Sequence, residues 1–233
     1  LEALDALRKA GHFVTLATGR SRFLAESVIR EVQFENYILC NGAAGFFNHQ
    51  QVFKETLDQQ ALTTLIDVCQ ARGIDTAIVQ LDQSKRLSSF DLEKMQDAMT
   101  SFGSTASELG ELAHDDEVYQ ALAYYEKDCD PLFEGQHPAF NFVRRNKKCV
   151  DVIPANGSKA RTLLALAERL GIDRADIIGF GDGLNDREML RESGIGVAMG
   201  NASLLVQQEA DLVTKDHNHD GIWHALKELH LID

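Results

Sequence analysis

Ile177-Ile178-Gly179-Phe180-Gly181-Asp182-Gly183-Leu184-Asn185-Asp186 is the stretch whose reading decides the fold. Its apolar part, Ile177, Ile178 and Phe180, is too short for a helix and is bounded by glycines, so it reads as a buried strand. Gly181-Asp182-Gly183 turns the chain, and Arg187-Glu188-Met189-Leu190 starts a helix. Open α/β sheets hold their ligands at such strand-to-helix turns. Asp182 and Asp186 are therefore expected together at a strand end. Two carboxylates about 4 Å apart repel by roughly 4 kcal/mol at an effective dielectric of about 20. A hard divalent cation removes that cost, and Mg²⁺ is typically held by one or two carboxylates, waters and a substrate phosphate. A purely structural reading competes with this. Asn185 and Glu188 have capping-box spacing, and Asp186 suits the dipole of a first helical turn. That reading leaves Asp182 without a role. A dinucleotide fingerprint starts at Gly179-x-Gly181 but needs its third glycine where Leu184 stands, which excludes it.

Working outward, residues 154–159 lead into a helix whose Leu163, Leu166, Ala167 and Leu170 follow i, i+3, i+4, i+7 spacing. Lys159 stands at its N-terminus, where a cation is unfavourable by a few tenths of a kcal/mol. It is either an exposed lysine of no consequence or one placed for function. Residues 12–17 read as a strand running into Thr18-Gly19-Arg20-Ser21 and a helix through Phe23, Leu24, Val28 and Ile29. Backbone N–H groups at this second strand-turn-helix suit an anion, unless Thr18 or Ser21 merely caps the helix. Residues 37–40 form another buried strand, ending at Asn41-Gly42. Residues 196–202 and 210–214 read as two more short strands. His217-Asn218-His219-Asp220 reads as a polar loop with Asp220 capping the last helix, 222–229, and a metal site as the alternative. At the other end Leu1, Leu4 and Leu7 share a helical face that Gly11 closes.

From residue 57 the pattern changes. Ala61, Leu62, Leu65, Ile66 and Cys69 mark a helix ended by Gly73, residues 74–80 a strand, and residues 90–102 a helix with Leu92, Met95, Met99 and Phe102 apolar. Strands follow at 118–125, 140–143 and 149–153. The last two are joined by Arg144-Arg145-Asn146-Lys147-Lys148, read as solvated hairpin surface or as a patch meeting an anionic substrate. Residues 57–149 thus form an α+β module inserted into an α/β frame of residues 1–56 and 150–233.

The 233 residues, 44% of them hydrophobic and only three of them proline, can bury a core. A net charge of −13 argues against a nucleic-acid or anionic-membrane partner. Any anionic substrate must therefore meet local positive groups or a metal. Cys40, Cys69, Cys129 and Cys149 show no Cys-x-x-Cys pairing, which suits free thiols in a reducing compartment. No apolar run approaches the roughly 18 residues of a membrane span. The expectation is a soluble, cytoplasmic protein.

Hydroxyl, amide, ammonium and paired carboxylates gathered around one parallel sheet describe a phosphoryl pocket. In order along the chain, Leu16-Ala17-Thr18-Gly19-Arg20, Asn41-Gly42-Ala43, Gly157-Ser158-Lys159, residues 181–186 and residues 196–202 resemble the haloacid dehalogenase superfamily. The match is to its Cof-type, subclass IIB capped phosphatases. The resemblance implies a Rossmann-like parallel-sheet core with the middle region as a substrate-selecting cap. It implies Mg²⁺-dependent hydrolysis of a small phosphorylated metabolite, a sugar phosphate first. It also implies roles: Thr18 hydrogen-bonds the phosphoryl group and Lys159 neutralises it. Asp182 and Asp186 hold Mg²⁺ directly or through water, Asn185 orders their loop, and Gly19, Arg20, Asn41 and Gly42 line the pocket. The family's first motif, Asp-x-Asp-Gly-Thr, carries the nucleophile and has no counterpart in residues 1–233, since Asp5 lies within the first helix. The resemblance therefore implies that this motif lies upstream of Leu1. A phosphomutase of the same superfamily, or a non-catalytic phosphate-binding module, are the alternatives.

Overall fold

The computed structural model describes residues 2–100 and 103–232. Leu1 and Phe102, both assigned above to apolar helix faces, lie outside the described residues. In chain order the elements begin with α1 (Glu2–Lys9), β1 (Thr15–Ala17), α2 (Arg22–Glu31), β2 (Asn36–Leu39), β3 (Ala44–Phe47) and β4 (Gln50–Lys54). Next come α3 (Gln59–Gln70), β5 (Asp75–Val79), β6 (Ser84–Arg86), α4 (Leu92–Thr100), β7 (Glu108–Leu109), β8 (Gln120–Tyr124), β9 (Phe140–Asn146) and β10 (Cys149–Pro154). The chain closes with α5 (Lys159–Leu170), β11 (Ile178–Gly181), α6 (Arg187–Glu192), β12 (Ile195–Ala198), α7 (Leu204–Gln207), β13 (Leu212–Val213) and α8 (Gly221–Glu228). The fold is α/β, and its contacts divide it into two compact units. One comprises Leu1–Gly19, Glu26–Phe53 and Ser158–Asp233; the other comprises Arg20–Ala25 and Lys54–Gly157.

The first unit holds two sheets. β11, β12 and β13 are parallel neighbours, with Phe180 opposite Val197 and Val197 opposite Leu212. β1 pairs parallel with β2, and β2 pairs antiparallel with β3, where the rings of Tyr37 and Phe46 stack at 4.7 Å. β1 and β11 each pair on one side only, so each sheet ends on a parallel strand with one unpaired edge among the described residues. α6 carries the crossover from β11 to β12 and buries Met189 and Leu190. α5 starts behind a capping Ser158, whose Oγ accepts from the Arg161 N–H at 3.0 Å, and ends at Gly171. α1 forms as its leucine spacing predicts, but none of its residues is fully buried.

The second unit is built on a six-stranded sheet in the order β7-β6-β5-β8-β10-β9, antiparallel apart from the β6–β7 pair. Alternate residues of a strand face opposite sides, and here they feed two clusters. Ile78, Ala121, Ala123, Val150 and Val152 pack with Leu62, Leu65, Ile66 and Cys69 of α3. Ala77, Val79, Leu122, Tyr124 and Cys149 pack with Met95, Ala98 and Met99 of α4. Each fully buried leucine contributes about 2 kcal/mol. Leu92, expected on the apolar face of α4, is instead exposed.

Two expectations from charge and capping need correction. The basic run 144–148 is not a free solvated turn, because three of its cations are partnered. Arg144 pairs with Asp130 and lies over the Tyr125 ring, Arg145 pairs with buried Asp151, and Lys148 pairs with Asp97 at 2.8 Å. Asp220 holds the N-cap position of α8 but its side chain makes no capping bond there. Among the described residues, no helix is long and apolar enough to cross a membrane.

Candidate active site

The site lies in the first unit, where β1, β2 and β11 end. The N–H of Thr18 donates to the carbonyl of Ile38 at 2.9 Å, and the N–H of Asn41 donates back to the carbonyl of Thr18 at 3.2 Å. These bonds zip the two strand ends together. Immediately after β2 the backbone turns through three residues of positive φ: Cys40 at 51°, Asn41 at 55° and Gly42 at 101°. A left-handed asparagine is common, but a left-handed cysteine costs on the order of 1 kcal/mol or more, and such strain gathers at functional sites. Gly42 has a second reason to be glycine, since a Cβ there would lie 2.1 Å from the carbonyl oxygen of Ser158. Its own carbonyl accepts from the hydroxyl of buried Thr162 at 2.5 Å. The Asn41-Gly42 turn therefore seats directly on the first turn of α5.

That contact places Lys159, the first residue of α5, inside the molecule with only 4% of its surface exposed. The reading of Lys159 as an exposed surface lysine fails. Its Nζ donates to Asp186 Oδ1 at 2.6 Å. The other oxygen of Asp186 accepts from the backbone N–H groups of Asp182, at 3.1 Å, and Gly183, at 2.9 Å. One buried carboxylate thus folds the 182–186 loop and neutralises the buried ammonium. The expected repulsion between Asp182 and Asp186 is met first by this ammonium and these two N–H groups. Asp182 itself is exposed, and its Oδ2 accepts from Asn201 Nδ2 at 2.8 Å.

Asn185 does not form a capping box with Glu188. Its side-chain amide donates to Asn41 Oδ1 at 2.8 Å, tying the loop after β11 to the turn after β2. Gly19 faces the same asparagine, and a Cβ there would lie 2.8 Å from Asn41 Oδ1. Thr18, Gly19, Asn41, Gly42, Lys159, Asp182, Asn185 and Asp186 are thus linked by contacts within one unit. Arg20 is exposed and groups with residues 20–25 in the other unit. Ser21 does not cap α2, because its buried hydroxyl has no hydrogen-bond partner among the described residues. Thr162 and Asn201 carry bonds of this site that sequence reasoning gave no role. Asn201 lay within a quoted motif, whereas Thr162 looked like any helix residue.

As a metal centre the donor set is lean. Among the described residues no three His, Cys, Asp or Glu side chains cluster, and His217 and His219 build no such site. The ring of His219 instead hydrogen-bonds Asp216 at 2.8 Å and holds that carboxyl below the usual range. What remains is an exposed carboxylate, Asp182, beside a buried one, Asp186, that already accepts three hydrogen bonds. That fits Mg²⁺, which takes few protein carboxylates and completes its shell with water and substrate phosphate.

Comparison with known proteins is consistent along the whole chain. The sequence pattern of the haloacid dehalogenase-like hydrolases matches residues 1–226. A Bacillus subtilis (strain 168) protein, YkrA, whose name proposes a phosphatase, is 32% identical over 227 residues, covering 97% of this chain and 88% of its own. A solved structure of a Geobacillus kaustophilus HTA426 protein of unassigned function superposes with a TM-score of 0.91 at 34% identity, covering 99% of this chain and 90% of that one. A solved subclass IIB sugar phosphatase of this superfamily, BT4131, superposes with a TM-score of 0.88 at 25% identity, covering 99% and 90%.

Proposed function

The chain belongs to the haloacid dehalogenase-like hydrolase family and is a phosphatase, and on that premise we propose that it hydrolyses a small sugar phosphate with Mg²⁺ bound at Asp182. The observation that carries the reading is the buried Lys159 ammonium. Asp186 is its one hydrogen-bond partner among the described residues, and an ammonium has three N–H donors. A buried cation held at the end of a parallel sheet, beside an exposed carboxylate and a strained polar turn, suits the charge of a transferring phosphoryl group. Phosphoryl transfer asks a protein mainly for positioning and electrostatic stabilisation.

In this reading Lys159 contacts the phosphoryl oxygens, and Asp186 holds Lys159 in place while it shapes the loop. The hydroxyl and backbone of Thr18, the backbone of Gly19 and Gly42, and the side chains of Asn41 and Asn185 line the same anion site. Asp182 would hold Mg²⁺, and Asp186, whose Oδ1 accepts a single bond from Lys159, would act on it directly or through water. When bound, Mg²⁺ offsets the negative charge of the phosphate. The nucleophile we assign to an aspartate on a strand upstream of Leu1, pairing with the open edges of β1 and β11. Its carboxylate oxygen would bond to phosphorus as the sugar oxygen leaves with a proton. Water would then attack that phosphorus, freeing inorganic phosphate and restoring the carboxylate. We assign substrate selection to the inserted region, residues 57–149, as a cap. Sugar phosphates come first because BT4131 is a sugar phosphatase of similar fold.

The test is release of inorganic phosphate from a panel of sugar phosphates by the full-length protein, with and without Mg²⁺. Metal-dependent release is expected. Transfer of the phosphoryl group to another position of the sugar, with no free phosphate, would instead make it a mutase. Binding of phosphate with no turnover on any substrate would make it a non-catalytic module.

A further inference from the structure

We propose that Asn201 is a positioning residue for Asp182, holding its carboxylate oriented for the metal, an inference that rests on the reading of Asp182 as the Mg²⁺ ligand. Asn201 follows β12 and lies 19 residues from Asp182 in sequence, yet its Nδ2 donates to Asp182 Oδ2 at 2.8 Å. Asp182 is exposed, and no other side-chain bond to its carboxylate is recorded among the described residues. An exposed aspartate without such a partner samples several rotamers, and only some present an oxygen to a given point. The bond from Asn201 occupies one oxygen and fixes the plane of the group, leaving Oδ1 as the oxygen available to a cation.

The direction of the Asn201 amide is itself set by its surroundings. The backbone N–H of His217 donates to Asn201 Oδ1 at 3.3 Å, so the oxygen end faces the 217–219 turn and the nitrogen end faces Asp182. That turn is held by Asp216, whose carboxylate accepts from the Asn218 N–H at 2.8 Å and from the ring of His219. The preceding Gly200 is pressed against the same segment. Its N–H donates to the carbonyl of Lys215 at 3.1 Å, and a Cβ on it would lie 2.8 Å from both the Thr214 oxygen and the Asp216 nitrogen. The polar His217-Asn218-His219 loop thus acquires a purpose. It braces the amide that braces the carboxylate. Groups that orient metal ligands without touching the metal typically contribute 10–100-fold to affinity. The exposure of this bond places Asn201 at the lower end.

The experiment titrates Mn²⁺, an EPR-visible stand-in for Mg²⁺, into the full-length protein without substrate, for wild type, Asn201→Ala and Asp182→Asn. Metal-free melting temperatures are recorded alongside. Asn201→Ala is expected to weaken Mn²⁺ binding about tenfold. Its metal-free melting temperature should stay within about 2 °C, as for an ordinary surface change. Its turnover should recover in excess Mg²⁺. Asp182→Asn should lose binding almost entirely. Unchanged Mn²⁺ affinity in Asn201→Ala with binding lost in Asp182→Asn would overturn the inference and leave the metal reading standing. Unchanged affinity in Asp182→Asn would overturn the metal reading and this inference with it. A fall in the metal-free melting temperature of Asn201→Ala large enough to account for any weakened binding would make Asn201 a structural residue, and would also overturn it.

Discussion

The first unit pairs Lys159 with Asp186 and the second pairs Arg145 with Asp151, both largely out of solvent, and the two pairs are built differently. In the first unit Lys159 meets Asp186 at 2.6 Å, with side chains 4% and 10% exposed. In the second unit Arg145 meets Asp151 at 2.8 Å, with side chains 12% and 6% exposed. Burial alone does not separate them. Their surroundings do. Asp186 accepts two further bonds from backbone N–H groups of a turn, and its cation stands at a helix start beside a run of positive φ. Arg145 and Asp151 lie within paired strands of a sheet, and Arg145 lies within Coulomb reach of Asp151 Oδ1 without the alignment of a hydrogen bond to it. A buried ion pair on regular strands serves the fold, whereas one assembled from strand ends, turns and a helix start is available for chemistry. This follows because strand interiors spend their backbone donors on neighbouring strands, while strand ends and helix N-termini have donors to give.

The sharpest way to break this comparison is Lys159→Met, which keeps the volume and removes the charge. Turnover should fall about 1,000-fold, as for loss of a principal electrostatic contact to the reacting group, measured as phosphate release per folded molecule. The variant also leaves Asp186 without its ammonium, so some stability goes as well. Arg145→Met should do the reverse. It should cost about 3 kcal/mol, the lower end for removing one partner of a buried pair, seen as a drop of roughly 6–12 °C in melting temperature. Its kcat should stay within about twofold of wild type at temperatures where it is folded. A large loss of kcat there would mean that Arg145 serves the substrate and that the comparison fails. Asp182→Asn should raise the Mg²⁺ concentration for half-maximal rate by at least about 100-fold, and an unchanged value would remove Asp182 from the metal site.

The smallest effect refines the structural pair. Burial pushes the Cys149 thiol up to about 12, Asp151 adding to the rise and Arg145 opposing it. A thiol raised that far holds only about one part in 10,000 as thiolate at pH 8, and it is buried besides. Cys129, half-buried, should therefore react first with a thiol reagent at pH 8, and Cys149 only when the sheet opens. Arg145→Met should quicken labelling of Cys149. Unaltered labelling would show that the pair does not secure this end of the sheet.

What the sequence made legible was whatever a local pattern can carry. β11 and its polar turn, the apolar periodicity of α5, the buried strand β2 and the short strand β12 all follow from periodicity and punctuation over a few residues. The β3–β4 hairpin went unread, although its two turn residues, Asn48 and His49, have φ of 46° and 62°. Such left-handed turns usually announce themselves as Asn-Gly, and His49 in place of glycine hid this one. Lys159 looked exposed because its partner lies 27 residues away, and no local pattern reports that a helix start will seat on Gly42. The run at 144–148 misled for the same reason, since Asp130 and Asp97 are distant in sequence. The residue types of the site were therefore readable, while the different partners and burial of Asp182 and Asp186 needed coordinates.

The most direct measurement is the rate of phosphate release from a sugar phosphate, compared between wild type and Lys159→Met in the full-length protein at saturating Mg²⁺. Folding should be verified on the same samples. A fall of about 1,000-fold in kcat, with the protein still folded, is the result expected if the buried ammonium faces the phosphoryl group. Undiminished turnover in a folded Lys159→Met would show that the ion pair at the end of the parallel sheet is structural like its counterpart, and that the phosphoryl site lies elsewhere.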